Sequence, residues 1–283
     1  SFAEGEIGVR SNKMAESIIS AISLLLPRLR VRTKVHARYE MTDEEALPVL
    51  ERLIGEHKVN LLSFMNHTPG QGQFQEISAF NSYFQAVYKK TDREIEEIIK
   101  RKFESQSDIT RRMEHLIDLC KILGIPMASH DDDSEEKVNW LKCNGISISE
   151  FPVNFDAALA AGRSNLHVCL GAPNALRGYS QSNNLSARDA IASGLCDILC
   201  SDYAPMTMLQ AAFSLADAKL LSLHEAVRLV TVNPAKAVGI HNETGLLEEA
   251  KAADFIIVDK QNGHAHVLKT FVAGQEVFST CMK

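Results

Sequence analysis

From Val31 onward one unit repeats. A short apolar run stops at polar, glycine or proline residues, and an amphipathic segment of helical period follows. The runs are VRTKVHARYE, VNLLSFMNH, GIPMASHDD, GISISEFP, LHVCLGAPN and CDILCSDYAP. The intervening helical patterns include DEEALPVLERLIGEH, NFDAALAAGRS and SARDAIASG. Alternation of this kind predicts parallel βα units, since a parallel connection needs a crossover helix. The runs predict six strands, about two fewer than a complete (β/α)8 barrel has. The chain opens in mid-pattern with SFAEGEIGVRSN and no initiator methionine. The expectation is therefore an α/β, TIM-like (β/α)8 barrel over residues 1–235, its first strand or strands upstream. Residues 236–283 follow as a small β-sandwich portion. There, ADFIIVDKQNGHAHVLKTFVAGQEVF reads as three strands with turns at Asn262-Gly263 and Gly274. A chain of 283 residues suits one large barrel.

Between His67 and Gly124 there is one long excursion rich in Glu, Lys and Arg. It reads as extended helix laid over the barrel mouth. Capping boxes are predicted at Thr42/Glu45, Thr91/Glu94, Asp133/Glu136 and Ser222/Glu225. In the run SHDDDSEEKV this makes Asp133 the helix N-cap and leaves His130 to the strand.

Formal net charge is −6, so a basic nucleic-acid-binding face is not expected. Any anionic ligand has to be held locally, by particular arginines, a metal or backbone amides. The cysteines Cys120, Cys143, Cys169, Cys196, Cys200 and Cys281 form no CxxC pair and sit mostly in apolar segments. They read as buried thiols of a reducing compartment. The stretch IISAISLLL is too short to span a membrane. A cytoplasmic protein without membrane association is expected.

In parallel barrels the chemistry gathers at the carboxyl ends of the strands. Three histidines, His36, His67 and His130, are predicted there together with Glu40 and Asp202. Neutral imidazoles with hard carboxylates form a set that suits a catalytic divalent ion, zinc, manganese or a similar metal. His36, Arg38 and Glu40 are spaced two apart and point to one face of their strand. His130 and Asp202 are the candidate catalytic residues. Asp131 and Asp132 are candidates either to orient His130 from behind or to bind a further cation. Two glycine- and amide-rich loops, NHTPGQGQF with Gln71 and GAPNALRGYSQSNN with Asn174, Arg177 and Ser180, suit phosphate oxygens.

HARYE, NHTPGQGQF, ASHDDDS, EFP, GAPNALRG, SDYAP, LVTVNPAKAVGI and GLLEEAKAADFIIVD occur in that order. Together they resemble the amidohydrolase superfamily, and within it diphosphatases of the carbon–phosphorus lyase pathway of phosphonate catabolism. The resemblance implies a metal-dependent barrel flanked by a β-sandwich. It implies hydrolysis of a ribose 1-methylphosphonate 5-triphosphate at its α–β link, with pyrophosphate leaving. Arg38 and Arg177 would then steady the polyphosphate, and Asp202 would bind metal and accept a proton. A phosphorylated sugar is the implied partner, with homo-oligomers expected. Two departures stand out. The family pattern has aspartate at the position of Asn66, and SHSGN where this chain reads SQSNN around Gln181. The pattern's first-strand histidine-x-aspartate pair lies upstream of Ser1, so weak metal binding and an open barrel edge are expected of this chain. The alternatives are an amidohydrolase cutting a C–N bond and a non-catalytic relative with a decayed metal site.

Overall fold

The computed structural model describes residues 1–3, 11–72, 74, 76–180 and 184–280. The chain enters through helix α1 (Asn12–Leu25) and then alternates β1 (His36–Glu40), α2 (Ala46–Gly55) and β2 (Leu61–Met65). Helices α3 (Ile77–Tyr88), α4 (Asp92–Glu104) and α5 (Ile109–Leu123) precede β3 (Met127–His130). Next come α6 (Glu135–Cys143), β4 (Ile148–Glu150), α7 (Phe155–Arg163), β5 (His167–Gly171), α8 (Ala172–Arg177), α9 (Ala187–Ala192) and β6 (Ile198–Cys200). Helices α10 (Thr207–Asp217), α11 (Leu223–Arg228) and α12 (Val232–Ala237) complete the helical layer. Strands β7 (Phe255–Gln261), β8 (His264–Val272) and β9 (Gln275–Ser279) end the described chain.

The six predicted strands all form, and they pair in parallel in the order β1-β2-β3-β4-β5-β6. This is the TIM-like arrangement. Side chains alternate across it: Ala37, Tyr39, Leu62 and Phe64 join the core beneath the helices, whereas Arg38, Glu40 and Ser63 meet polar partners on the opposite face. Around β5 and β6 the helical layer is alanine-rich: Ala157, Ala158 and Ala161 of α7 and Ala211 and Ala212 of α10 are buried. Small side chains there let helix backbones lie close to the sheet. Filling one of those positions with a larger residue would cost about 1–3 kcal/mol.

The edge of β1 is not left open at its carboxyl end. Phe2, fully buried, bridges Tyr39 in parallel, with Phe2 N donating to Arg38 O at 2.8 Å and Glu40 N to Phe2 O at 2.9 Å. At the other edge Leu199 N donates to Leu229 O. The expected open edge is thus partly satisfied from within the chain.

The long helix expected before Gly124 is broken. α4 ends at a 3-10 turn, Ser105–Asp108, before α5 begins. Arg112 explains the break: it is buried and donates to Met41 O and Ser105 O while pairing with Glu44. It thereby pins α5 beside α2, and α3 and α4 fold separately over a hydrophobic cluster of Phe74, Phe80, Phe84 and Ile95. The capping boxes at Thr91/Glu94 and Ser222/Glu225 are present. Two others are not. Thr42 donates to Glu40, and Asp43 instead accepts from Ala46 N at 3.2 Å. Ser134, not Asp133, caps α6, because Asp133 turns away to accept from Gly72 N at 2.7 Å.

The C-terminal strands form an antiparallel sheet with the predicted turns. Asn262 and Gly263 have φ of 51° and 82°, as a two-residue type I′ hairpin requires. Gln210 ties this sheet to the barrel by bonding both N–H and C=O of Ala265. Among the described residues no helix is long and apolar enough to cross a membrane. Cys120, Cys143, Cys169, Cys196 and Cys200 are free thiols, and Cys281 lies outside the described residues.

Candidate metal centre

At the carboxyl ends of β1, β2 and β3 four ionisable side chains interlock. Glu40, the last residue of β1, accepts from His67 Nδ1 on Oε2 at 2.7 Å and from His67 N on Oε1 at 3.1 Å. The other ring nitrogen, Nε2, lies 3.5 Å from Asp131 Oδ2. Asp131 Oδ2 in turn lies 2.9 Å from His130 Nδ1. One ligand atom each from His67, His130 and Asp131 fall within 4.8 Å of one another.

The charges are strongly coupled. Burial alone would raise the Glu40 carboxyl, but Lys102 and His67 outweigh it and hold the group well below the usual carboxylate range. Asp131 is likewise driven down by His130 and His67 against the cost of burial. Burial opposes a proton on His67, yet Glu40 and Asp131 prevail and push the imidazole up to about 9.

These residues fit a divalent cation. His130 Nδ1 and Asp131 Oδ2 are both buried without a hydrogen-bond partner although they face each other. Such orphaned buried groups are costly unless something binds them. With His67 Nδ1 committed to Glu40, Nε2 is the nitrogen presented to an ion, the carboxylate–histidine arrangement found behind metal sites. Two imidazoles and one carboxylate leave coordination positions open, as catalytic sites require.

The backbone is bent to make this cluster. Asp131, Phe151 and Asp202, which follow β3, β4 and β6, have φ of 53°, 56° and 50°. Left-handed backbone at non-glycine residues costs roughly 1–3 kcal/mol and gathers at functional sites. Lys137, from the first turns of α6, supports the bend by donating to His130 O at 3.0 Å and Asp131 O at 3.2 Å.

The other sequence-predicted residues are placed differently. Asp132 is fully buried and accepts from Ser129 and Ser149, each at 2.5 Å, and its other oxygen meets Lys137. It fastens β3 to β4 rather than orienting His130. His36 begins β1 instead of ending it, and its Nε2 meets Ser63 Oγ at 2.5 Å. The strand rise puts it about 13 Å below Glu40, so the structure sets it apart from the cluster, and burial lowers its pKa. Glu40 lies behind His67 and Asp131 stands among the three grouped residues, the reverse of their expected places. Arg38 NH2 donates to His130 Nε2 at 2.6 Å, and its Nε is buried without a partner.

Asp202 stands exposed at the mouth, its Oδ2 so close to Gly171 that a Cβ there would come within 3.2 Å. Desolvation nonetheless raises its pKa, against Arg38 and His130. Arg177 donates to the Tyr203 hydroxyl and lies 5.6 Å from the Tyr179 ring centroid. Asn174 is occupied structurally, bonding Leu185 O and Ala187 N. Gln71 pairs with Phe74 in an isolated antiparallel bridge, and Ser180 is half-buried. Asn66 accepts from Thr68 N and Thr68 Oγ1, a local turn role. Gln181 lies outside the described residues.

The sequence assigns no role to Lys102 or Lys137, and none to the strand-end residue Glu150, which accepts from Ser63 Oγ at 2.9 Å. The signal for Glu150 was present in its strand-end position.

The sequence profile of the Amidohydrolase family matches residues 28–277. The chain is 35% identical over 268 residues to alpha-D-ribose 1-methylphosphonate 5-triphosphate diphosphatase of Escherichia coli (strain K12), covering 93% of this chain and 71% of that one. Among solved structures, an uncharacterized protein superposes with a TM-score of 0.58 at 12% identity, covering 93% of this chain and 73% of the other. N-acetylglucosamine-6-phosphate deacetylase from Pasteurella multocida gives a TM-score of 0.52 at 12% identity, with 93% and 80% covered. Both share the fold.

Proposed function

The chain belongs to the amidohydrolase family, and on that premise we propose that it hydrolyses a phosphoric anhydride, releasing pyrophosphate from α-D-ribose 1-methylphosphonate 5-triphosphate. The observation that carries this reading is Arg38. Its Nε is a buried donor without an acceptor, beside the residues grouped for a metal, and an anionic oxygen is the ligand that such a donor lacks. The named substrate of the E. coli relative carries such oxygens in abundance.

His67, His130 and Asp131 would hold the ion, and Glu40 would fix the His67 tautomer. A divalent ion there supplies Lewis acidity and a nucleophile at neutral pH. Asp202, with its raised pKa and place at the mouth, is suited to take up and return a proton. Arg38 and Arg177 both act electrostatically on Asp202 and would neutralise the phosphates. A neutral imidazole has one lone pair, so a cation on His130 Nδ1 requires a proton on Nε2. With Nε2 protonated, His130 would no longer accept from the Arg38 guanidinium, whose donors would then be available to substrate oxygens.

The test is incubation of the chain and a divalent metal with the ribose triphosphate, scoring pyrophosphate against orthophosphate. Pyrophosphate as the first product is expected. Orthophosphate alone, or turnover of a cyclic amide in its place, contradicts the proposal.

A further inference from the structure

One side chain of the cap reaches the metal centre. Lys102 lies in the last turn of α4, yet only 15% of its side chain is exposed. Its Nζ donates to Glu40 Oε1 at 2.8 Å and to Thr42 Oγ1 at 3.1 Å. Other cations on and beside α4 remain in local surface pairs: Arg93 with Glu97, Lys100 with Glu104, and Lys90 with Glu94. Lys102 is therefore turned inward against the habit of its own helix, and buried lysines are rare unless paired.

The two oxygens of Glu40 have separate duties. Oε1 receives Lys102, Thr42 Oγ1 and His67 N, while Oε2 receives His67 Nδ1. Fixing Oε1 fixes the carboxylate plane, and with it the direction in which Oε2 meets the imidazole. A cavity of about 530 Å³ lies between α4 and the end of β1, lined by Glu40, Lys102, Lys90, Glu94 and Glu97 among others. Lys102 lines it together with Glu40, and it is the cationic partner of Oε1 beside the neutral donors Thr42 Oγ1 and His67 N.

We propose that Lys102 is a positioning residue that locks Glu40, and through Glu40 the ring of His67, so that the seating of the α4 cap sets the grip of the centre on a divalent ion. This rests on the metal-site reading above. Linkage makes the coupling reciprocal: a cap that tightens metal binding is itself tightened by the metal.

The test uses zinc alone as the probe, with affinity read by competition against a chromophoric chelator. Lys102→Met should bind zinc about tenfold more weakly, the low end of the 10–100-fold expected for Glu40 itself, because Lys102 is one bond further from the ligand. Lys102→Arg should recover most of that loss. Lys90→Met, in the same cap but not touching Glu40, should change affinity by no more than about twofold. Because Lys102 acts through Glu40, Lys102→Met should add little to Glu40→Gln. Zinc should also slow amide exchange in α3 and α4 of the wild type more than in Lys102→Met. If Lys102→Met does not fold, comparison of Lys102→Gln with Lys102→Arg decides in the same assay. Wild-type affinity in a folded Lys102→Met, or losses that multiply in the double variant, overturn the inference alone. Failure of the wild type to take up zinc overturns the metal-site reading and this inference with it.

Discussion

The two sides of the barrel mouth are built to different plans. At the ends of β1, β2 and β3, Glu40, His130 and Asp131 are buried, His67 is nearly so, and each is within 3.5 Å of a charged or imidazole neighbour. Beyond β5 and β6, Arg177 at the end of α8 and Asp202 and Tyr203 after β6 are exposed, with Arg177 donating to the Tyr203 hydroxyl. The difference separates holding from reading. A buried, mutually constrained set would fix an ion in one geometry, whereas exposed long side chains would adapt to a substrate.

Variants on the two sides should therefore fail in different ways. The largest effect is expected from His67→Ala, which removes a ligand candidate and leaves Glu40 and Asp131 facing each other. Zinc affinity should fall by more than about 100-fold, and turnover with it, since loss of a ligand outweighs the change from an outer partner. A His67→Ala protein that binds zinc normally breaks the comparison.

The next effect is on stability. In the metal-free protein the folded-state pKa of His67 is raised from 6.5 to about 9. A raised pKa means that the folded state holds the proton more tightly. The contribution, on the order of 3 kcal/mol, is full below pH 6.5 and is lost as pH rises through 9. Denaturant melts of metal-free protein at pH 6 and pH 9.5 should show it, and His67→Gln should flatten it. Zinc displaces that proton, so the loaded protein should lose less stability over the same window.

The smallest effect belongs to the exposed side. Arg177→Ala should raise KM about tenfold with little change in kcat, because a charge that binds substrate and transition state alike contributes mainly to KM. An equal fall in kcat would move Arg177 into the first group.

The sequence revealed the strands, their parallel order and the inward face of β1, because alternation and strand ends are local signals. It placed His67 and His130 at the mouth for the same reason. Finer assignments depended on where each strand starts and stops. HARYE is a whole strand, so its first and last residues cannot share one ion. In DDDS, Asp133 and Ser134 are both good caps, and only the tertiary need of Gly72 N for an acceptor decides between them. Asp131 leaves the strand's alternation through its positive φ, which no periodicity reports. Lys102 sits in a helix of surface composition, and its inward turn onto Glu40 is a tertiary contact that helical period does not report.

The central claim is that His67, His130 and Asp131 hold the ion while Glu40 stands behind. Anomalous diffraction at the zinc edge, from crystals loaded with stoichiometric zinc, tests it directly. The predicted result is one ion about 2.0–2.2 Å from a ring nitrogen of each histidine and from an Asp131 oxygen, with Glu40 still bonded to His67 Nδ1. Zinc bound to Glu40 or His36 instead, or no ordered zinc between the two histidines, would contradict it.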